Sequence, residues 1–218
     1  MHWLYYVARF LVKVSLLLFT RWQVVGRENV PEQGALLIVA NHINITDPPV
    51  LGMGLGRKVM FMAKEELFRS KFQGYFLRKC GVFPVKRGQF DRAAFRHSRQ
   101  LLAQGWALVM FPEGGRSRNA RLQTALSGSA LVALRAGVPI LSAGITGTES
   151  IKGIGWLFRR PRITVNIGYP FFLPPVNGRL TKVELAELTH SIMEHIAELL
   201  PVEYRGNYDR QKISERKN

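Results

Sequence analysis

A histidine and an aspartate in one short polar segment have residue types and spacing suited to acid–base chemistry. His42 and Asp47 lie five residues apart in Asn-His-Ile-Asn-Ile-Thr-Asp, directly after an apolar run at 35–40. A carboxylate that reaches the imidazole fixes its tautomer and stabilises the imidazolium formed when the other ring nitrogen takes a proton. No Gly-x-Ser-x-Gly nucleophile motif accompanies the pair. The pair therefore suits a reaction in which the substrate supplies its own hydroxyl.

Taken alone, the spacing of this pair favours a simpler interpretation. Asp47 precedes Pro48, an arrangement typical of a helix N-cap followed by proline at the first helical position. In that case Asp47 only caps a helix, and His42 is an ordinary loop histidine.

A second segment, Phe-Pro-Glu-Gly-Gly-Arg-Ser-Arg at 111–118, follows another apolar run and suits anion binding. Glycines at 114 and 115 allow backbone amides to approach a ligand closely. Arg116 presents a planar cationic group that matches phosphate. Glu113 could accept a hydrogen bond from a substrate hydroxyl or hold an arginine. The alternative is a basic surface turn.

The basic residues are concentrated in the middle of the chain. The 218 residues include 31 Lys and Arg against 15 Asp and Glu, a formal net charge of +16, and 57–135 alone holds sixteen basic and four acidic side chains. This concentration indicates a polyanionic partner: nucleic acid, an anionic membrane surface or phosphorylated small molecules. Lys86 and Arg87, which follow a strand-like run at 81–85, are either phosphate ligands or part of a solvated loop.

The elements that must position these residues follow from hydrophobic patterning. Short apolar runs predict strands at 35–40, 59–63, 81–85, 107–111, 139–143 and 162–167. Helical stretches lie at 48–55, 71–79, 91–104, 122–136 and 181–200. This alternation predicts an α/β fold, a single layered domain with a largely parallel central sheet flanked by helices. We place the domain at 25–206, with a polar C-terminal tail at 207–218. The lone Cys80 excludes a disulfide framework.

The residue pattern over positions 1–24 predicts an amphipathic membrane-associated helix. Residues 3–22 are long enough to span a bilayer, but Arg9 and Lys13 share one helix face with Tyr6 and Thr20. Two charges near the middle of a membrane cost several kcal/mol, so we expect the helix to lie in the interface. The alternatives are a true span and an ordinary helix packed on the domain.

A second apolar and basic segment, Ile-Lys-Gly-Ile-Gly-Trp-Leu-Phe-Arg-Arg at 151–160, is another candidate membrane contact. It places Trp156, Leu157 and Phe158 beside two arginines. The alternative is a loop that buries these apolar side chains in the core.

Together these segments resemble the glycerophospholipid acyltransferases, and most of all the bacterial 1-acylglycerol-3-phosphate (lysophosphatidic acid) acyltransferases. The resemblance covers about residues 25–206. Four ordered blocks of that family match Asn41, His42 and Asp47; 83–87; 111–117; and 137–140. The chain departs from the family pattern at three positions: Gly115 replaces the usual Thr, Asn44 stands where Ser is common, and Leu126 stands where many relatives have Lys.

The resemblance implies an acyltransferase that moves a fatty acyl group to the sn-2 hydroxyl of lysophosphatidic acid, giving phosphatidic acid. The donor would be acyl-CoA or acyl carrier protein, and no cofactor is implied. His42 would be the general base and Asp47 its orienting partner. The alternatives are an enzyme of this family acting on another lysolipid or polar acceptor, and a non-catalytic protein that binds lipid, membrane or nucleic acid.

The resemblance also implies roles for the substrate-binding residues. Lys86, Arg87 and Arg116 would hold the acceptor phosphate, and Glu113 would bind the glycerol portion. The amides of the glycines at 114 and 115 would contact the phosphate or the developing oxyanion. We expect no metal, because the five histidines form no ligand-spaced cluster with carboxylates.

The expected partners and location follow from this chemistry. We expect a lysophosphatidic acid acceptor, a thioester donor, a phospholipid membrane and no nucleic acid, because the sequence contains no recognised nucleic-acid-binding motif. Thioester donors are cytoplasmic. The expected location is therefore the cell membrane, with peripheral or monotopic attachment and the catalytic domain on the cytoplasmic side.

Overall fold

In the part of the chain that the structure describes, seven strands and seven α-helices form one layered α/β domain, and most strands are followed by a helix. The computed structural model describes residues 2–176 and 180–209. The strands are β1 (Arg21–Val25), β2 (Leu36–Ala40), β3 (Val59–Lys64), β4 (Val82–Val85), β5 (Ala107–Met110), β6 (Ile140–Thr146) and β7 (Arg162–Phe171). The helices are α1 (Trp3–Phe19), α2 (Asp47–Gly54), α3 (Lys71–Lys79), α4 (Arg92–Ala103), α5 (Gly128–Ala136), α6 (Trp156–Arg159) and α7 (Lys182–Glu198).

The strands form a single sheet in the order β1-β7-β6-β2-β5-β3-β4. All neighbouring strands are parallel except β6 and β7, which confirms the predicted, largely parallel sheet. β2 is central, with Leu37 paired to Leu108 of β5 and to Ile140 of β6. The carboxyl ends of β2, β5 and β6 therefore meet at one edge of the sheet.

The domain has one hydrophobic core on each face of the sheet, and β2 contributes to both. Leu37 and Val39 point into the core formed with α4, α5 and α7. Leu36 and Ile38 point into the other core, formed with α1 and α2. All five residues of β2 are buried, which explains why its sequence is continuously apolar rather than alternating.

Local sequence explains where several helices begin and end. Asp91 caps α4 by accepting hydrogen bonds from the amides of Ala93 and Ala94. Thr181 and Glu184 form a capping box at the start of α7. α5 ends at Gly137, whose φ of 61° lies in the left-handed region that glycine adopts readily.

The structure differs from the sequence-based elements in three places. β1 and the short α6 were not predicted. The helix expected over 122–136 begins only at Gly128, because the Leu126 N–H, which would bond the Leu122 carbonyl in such a helix, donates to the Pro112 carbonyl instead. The Leu122 N–H donates to the Tyr204 carbonyl, and the Gln123 N–H donates to the Glu113 carboxylate.

The predicted N-terminal element of 24 residues divides into α1 and β1. The helix ends before Thr20, and Trp22, which the predicted helix over 3–22 included, belongs to a strand paired with β7. Within the described residues, no helix has the length and apolarity needed to cross a membrane.

α1 packs on the domain through one face and exposes an apolar face. Leu16 is buried in the core, and Arg9 donates a hydrogen bond to the Gly56 carbonyl at 3.4 Å. The exposed apolar side chains of α1 are Trp3, Val7, Phe10, Leu11, Leu17 and Leu18. The polar stripe predicted for this helix therefore borders the domain, and the apolar face points outward.

The domain extends slightly beyond its predicted end. Tyr208 and Asp209 are buried, although they lie in the predicted polar tail. Tyr208 packs against the core formed with α4, α5 and α7. The rest of that tail, 210–218, lies outside the described residues.

Candidate active site

His42 and Asp47 meet at the edge of the sheet where β2 ends. His42 Nδ1 lies 2.8 Å from Asp47 Oδ2, and both side chains are buried. The prediction that Asp47 is a helix N-cap is wrong, since Thr46 occupies that position and Asp47 is the first residue of α2. The next two residues, Pro48 and Pro49, have no N–H groups for a cap to satisfy. The Asp47 carboxylate therefore turns back towards the loop.

The Asp47 carboxylate accepts four hydrogen bonds. Besides His42, its donors are the amides of Ile43 at 2.5 Å and Asn44 at 2.7 Å, and the Thr148 hydroxyl at 2.6 Å. Because a carboxylate surrounded by donors only accepts, Nδ1 of His42 carries the proton and Nε2 holds the lone pair. Nε2 has no hydrogen-bond partner among the described residues. The geometry leaves this nitrogen available to take a proton.

Thr148 is a site residue that the sequence analysis missed. It is fully buried and lies just after β6, in a short 3-10 helix. Asn41 holds the end of β2 to β6 through two hydrogen bonds with the Ile145 backbone, at 2.8 and 2.7 Å. This pairing brings Thr148 to Asp47 across 101 residues of sequence. Only the strand order, with β6 beside β2, could have indicated it.

The 111–118 segment fixes the backbone and the ring of His42. The His42 N–H donates to Glu113 Oε1 at 2.8 Å, and the His42 carbonyl accepts from the Ser117 N–H at 2.7 Å. The Phe111 ring stacks on the imidazole with centroids 4.3 Å apart. Two segments separated by about 70 residues are thereby joined into one site.

Glu113 is buried, and both its oxygens bond protein amides. Oε1 accepts from the His42 N–H, and Oε2 accepts from the Gln123 N–H at 3.0 Å. Burial raises the pKa of Glu113 to about 7, with a smaller contribution from the negative charge of Asp47, although the two amide hydrogen bonds oppose the rise. In this structure Glu113 joins two loops. Its contact with the glycerol portion of a substrate stays a prediction.

The predicted phosphate ligands are exposed cations near this edge of the sheet. Lys86 and Arg87 line a cavity of about 460 Å³ that also reaches Gly114. Arg116 is exposed beside Ser117 and is not part of the cavity wall. None of the three cations forms an ion pair with another described residue. They are therefore available to bind an anion.

The two glycines of this segment, Gly114 and Gly115, differ in how much space surrounds them. Gly114 has φ of 66°, so a larger residue would be strained, and the exposed Leu126 side chain, whose Cδ1 lies 2.5 Å from a Cβ placed there, would have to move. Gly115 has nothing within 4 Å of a Cβ position. The space beside Gly115 is thus open, and the Thr common in relatives would fit.

The cavity is mainly apolar and lies between the sheet and helices α4 and α5. Its wall includes Phe111, the residue whose ring stacks on His42. Its apolar lining includes Met62, Val85, Phe90, Phe95, Met110, Leu126, Leu131, Val132 and Leu185. Such a lining suits a long hydrocarbon chain.

In the described part of the chain, no group of three or more His, Cys, Asp or Glu side chains is placed to hold a metal ion.

Comparison with known proteins agrees with this architecture. The chain matches the acyltransferase family over residues 21–146. The 1-acyl-sn-glycerol-3-phosphate acyltransferase of Bacillus subtilis is 30% identical over 190 residues, which are 86% of this chain and 92% of that protein. The lyso-ornithine lipid O-acyltransferase of Pseudomonas aeruginosa is 31% identical over 168 residues, which are 69% of this chain and 63% of that protein.

One solved structure is similar to this chain over most of the length of both proteins. The crystal structure of the 1-acyl-sn-glycerophosphate (LPA) acyltransferase PlsC from Thermotoga maritima matches with a TM-score of 0.67 and 26% identity, covering 89% of this chain and 79% of that one. The chain therefore belongs to the acyltransferase family and is an enzyme that transfers acyl groups. The resemblance drawn from the sequence motifs is confirmed.

Proposed function

We propose that this enzyme transfers a fatty acyl group from a thioester, acyl-CoA or acyl carrier protein, to the sn-2 hydroxyl of 1-acylglycerol-3-phosphate. The observation that carries the proposal is the buried His42–Asp47 pair, in which Asp47 has four donors and His42 keeps Nε2 available. Relatives named for this activity support the choice of acceptor.

The site supports a general-base mechanism without a protein nucleophile. His42 Nε2 takes the proton of the acceptor hydroxyl as its oxygen attacks the thioester carbonyl carbon. The tetrahedral intermediate then collapses, the C–S bond breaks, and the leaving thiolate takes the proton from the imidazolium. General-base catalysis of this type contributes about 10²–10⁴-fold to the rate, and Asp47 stabilises the imidazolium formed on the way.

The surrounding groups supply the binding sites that this reaction requires. Lys86, Arg87 and Arg116 form no ion pair with another residue that the structure describes. The guanidinium groups of the two arginines can bind phosphate through parallel hydrogen bonds. The apolar cavity beside Phe111 has the lining that an acyl chain needs. Holding phosphate and chain together would place the hydroxyl near the thioester and lower the entropic part of the barrier.

The exposed apolar face of α1 supports attachment to the membrane as an interfacial helix. Lys13 and the exposed Trp3 suit the headgroup region, where cations and indole rings are favoured. The lysolipid acceptor resides in the bilayer and the thioester donor in the cytoplasm. The enzyme would therefore act at the cytoplasmic surface of the cell membrane.

An acyl-transfer assay with purified protein tests the proposal. We expect phosphatidic acid from lysophosphatidic acid with acyl-CoA, acyl carrier protein or both as donor. His42→Ala should lower the rate at least about 10²-fold, whereas the exposed His190→Ala on α7 should leave it unchanged. Equal rates for wild type and His42→Ala would refute the mechanism.

A second acceptor of the same class is favoured by one departure from the family pattern. Leu126, which stands where many relatives have Lys, is exposed and lines the cavity beside Gly114. With leucine instead of lysine at this position, the surroundings of the site contain one cation fewer. We therefore propose lyso-ornithine lipid, the acceptor named for a relative, as the acceptor to assay beside lysophosphatidic acid. The larger kcat/KM would decide between the two.

A further inference from the structure

The segment at 151–160 connects α1 to the loop that carries the catalytic pair. At one end, the Asn44 side-chain amide donates to the Ile151 carbonyl at 3.3 Å. At the other end, the Trp156 ring makes an edge contact with Phe19 of α1, with centroids 6.1 Å apart. Arg160 also donates to the Leu17 carbonyl at 3.4 Å. These contacts make α1, the 151–160 segment and the loop after β2 neighbours on the surface.

Each of these three elements exposes large apolar side chains. Phe158 is 87% exposed, Ile154 is 76% exposed, and Ile45, in the loop between His42 and Asp47, is 66% exposed. Leu17 and Leu18 at the end of α1 are also exposed. We call these five side chains the entry surface. Exposed apolar side chains grouped in this way mark an interaction site rather than an ordinary protein surface.

Two of these elements, α1 and the 151–160 segment, carry charges of one sign. α1 and the 151–160 segment together contain five Lys and Arg and no Asp or Glu. Lys152, Arg159 and Arg160 are all exposed and form no ion pair with another described residue. Apolar side chains bordered by unpaired cations are complementary to an anionic bilayer, which offers acyl chains beneath phosphate headgroups.

We propose that the entry surface inserts into the anionic bilayer and admits the lysolipid acceptor directly to His42. This inference rests on the proposed function and extends it, because it gives the 151–160 segment a role separate from anchoring by α1. The segment contacts the Asn44 side chain, and the Asn44 backbone amide bonds Asp47. A lipid whose tail lies against Phe158 and Ile154 would lie beside the loop that carries the catalytic pair.

The transfer assay compares two single variants of the full chain, and a third, Arg159→Gln, tests vesicle binding. Phe158→Ser removes the most exposed side chain of the entry surface. Phe172→Ser is the matched control, since Phe172 is 66% exposed but lies at the opposite edge of the sheet. Its neighbour Phe171 pairs with Ile140, the first residue of β6. Both side chains are exposed, so neither change should disturb folding, which thermal melts would check.

Each variant is assayed with long-chain lysophosphatidic acid held in vesicles of phosphatidylglycerol and phosphatidylethanolamine, and with a short-chain, water-soluble lysophosphatidic acid. We expect Phe158→Ser to slow transfer to the vesicle-held acceptor about tenfold and to leave transfer to the soluble acceptor within about twofold. Phe172→Ser should match wild type on both. Arg159→Gln should weaken flotation with the same vesicles about fivefold.

The proposal is overturned if Phe158→Ser leaves vesicle transfer unchanged, or if it lowers transfer to both acceptors equally. It is also overturned if Arg159→Gln leaves flotation unchanged but slows transfer from acyl carrier protein, because the surface would then receive an acidic protein. If wild type transfers to neither acceptor, the proposed function fails. Flotation of wild type, Phe158→Ser and Phe172→Ser then tests the surface by itself.

Discussion

Replacing Thr148 by Val should slow acyl transfer without weakening substrate binding. The hydroxyl is fully buried and donates to Asp47 Oδ1 at 2.6 Å, and valine has nearly the same shape. A hydrogen bond to a charged group contributes about 1.5–3 kcal/mol. If that contribution supports the imidazolium-forming transition state, its loss lowers kcat by about 10- to 150-fold. Thr148 contacts Asp47 rather than a substrate, so KM for donor and acceptor should change little.

The matched control is Thr148→Ser, which retains the hydroxyl and loses only a methyl group. We expect its kcat to stay within about threefold of wild type, although the lost methyl lowers stability by about 1 kcal/mol. Steady-state kinetics of both variants, measured well below their melting temperatures, separate positioning of Asp47 from general destabilisation. The reasoning is refuted if Thr148→Val keeps the wild-type kcat, or if Thr148→Ser is equally slow.

Three further predictions concern the surrounding groups. Burial raises the pKa of Glu113 to about 7 in the folded state. The protonated Glu113 side chain therefore stabilises the fold most at low pH. This stabilisation declines by at most about 3 kcal/mol as pH rises from about 4.5 to 7. Urea unfolding at pH 5 and pH 8 should therefore show wild type losing stability relative to Glu113→Gln, and a constant difference would contradict this. Arg87→Ala and Arg116→Ala should each raise KM for lysophosphatidic acid more than KM for the acyl donor. Arg116→Lys should keep only part of the wild-type affinity for lysophosphatidic acid, because lysine lacks the planar fork. Equal effects on both substrates would exclude the phosphate role. Asp91→Ala should lower the free energy of unfolding by about 0.5–2 kcal/mol, because it removes the α4 cap and the bond to the Lys86 amide, and an unchanged melting temperature would argue against it.

The exposed apolar face of α1 illustrates what the sequence pattern could and could not predict. The 3.6-residue periodicity predicts an amphipathic helix, and the helix forms at Trp3–Phe19. Periodicity does not say which face the rest of the protein covers. Contacts with α2 and the core bury Thr20 and bring Arg9 to the Gly56 carbonyl, whereas Tyr6 and Lys13 of the same stripe stay exposed.

Local sequence predicted the strands β2 to β7 and the position of the catalytic pair. Continuous apolar runs such as β2 are predictable because a strand buried on both faces has no polar side. His42 and Asp47 are five residues apart, close enough for the chain itself to bring them together. The ordered blocks around them also sufficed to identify the acyltransferase family.

Tertiary structure alone decided the surroundings of that pair. Thr148 reaches Asp47 because β6 lies beside β2, and strand order depends on the packing of all the helices rather than on any local pattern. Glu113 bonds the His42 and Gln123 amides, and the Leu126 N–H bonds the Pro112 carbonyl rather than the Leu122 carbonyl that a helix over 122–136 would offer. A local pattern cannot reveal that a distant carboxylate will accept an amide's hydrogen bond, because the carboxylate approaches the amide only once the sheet has formed.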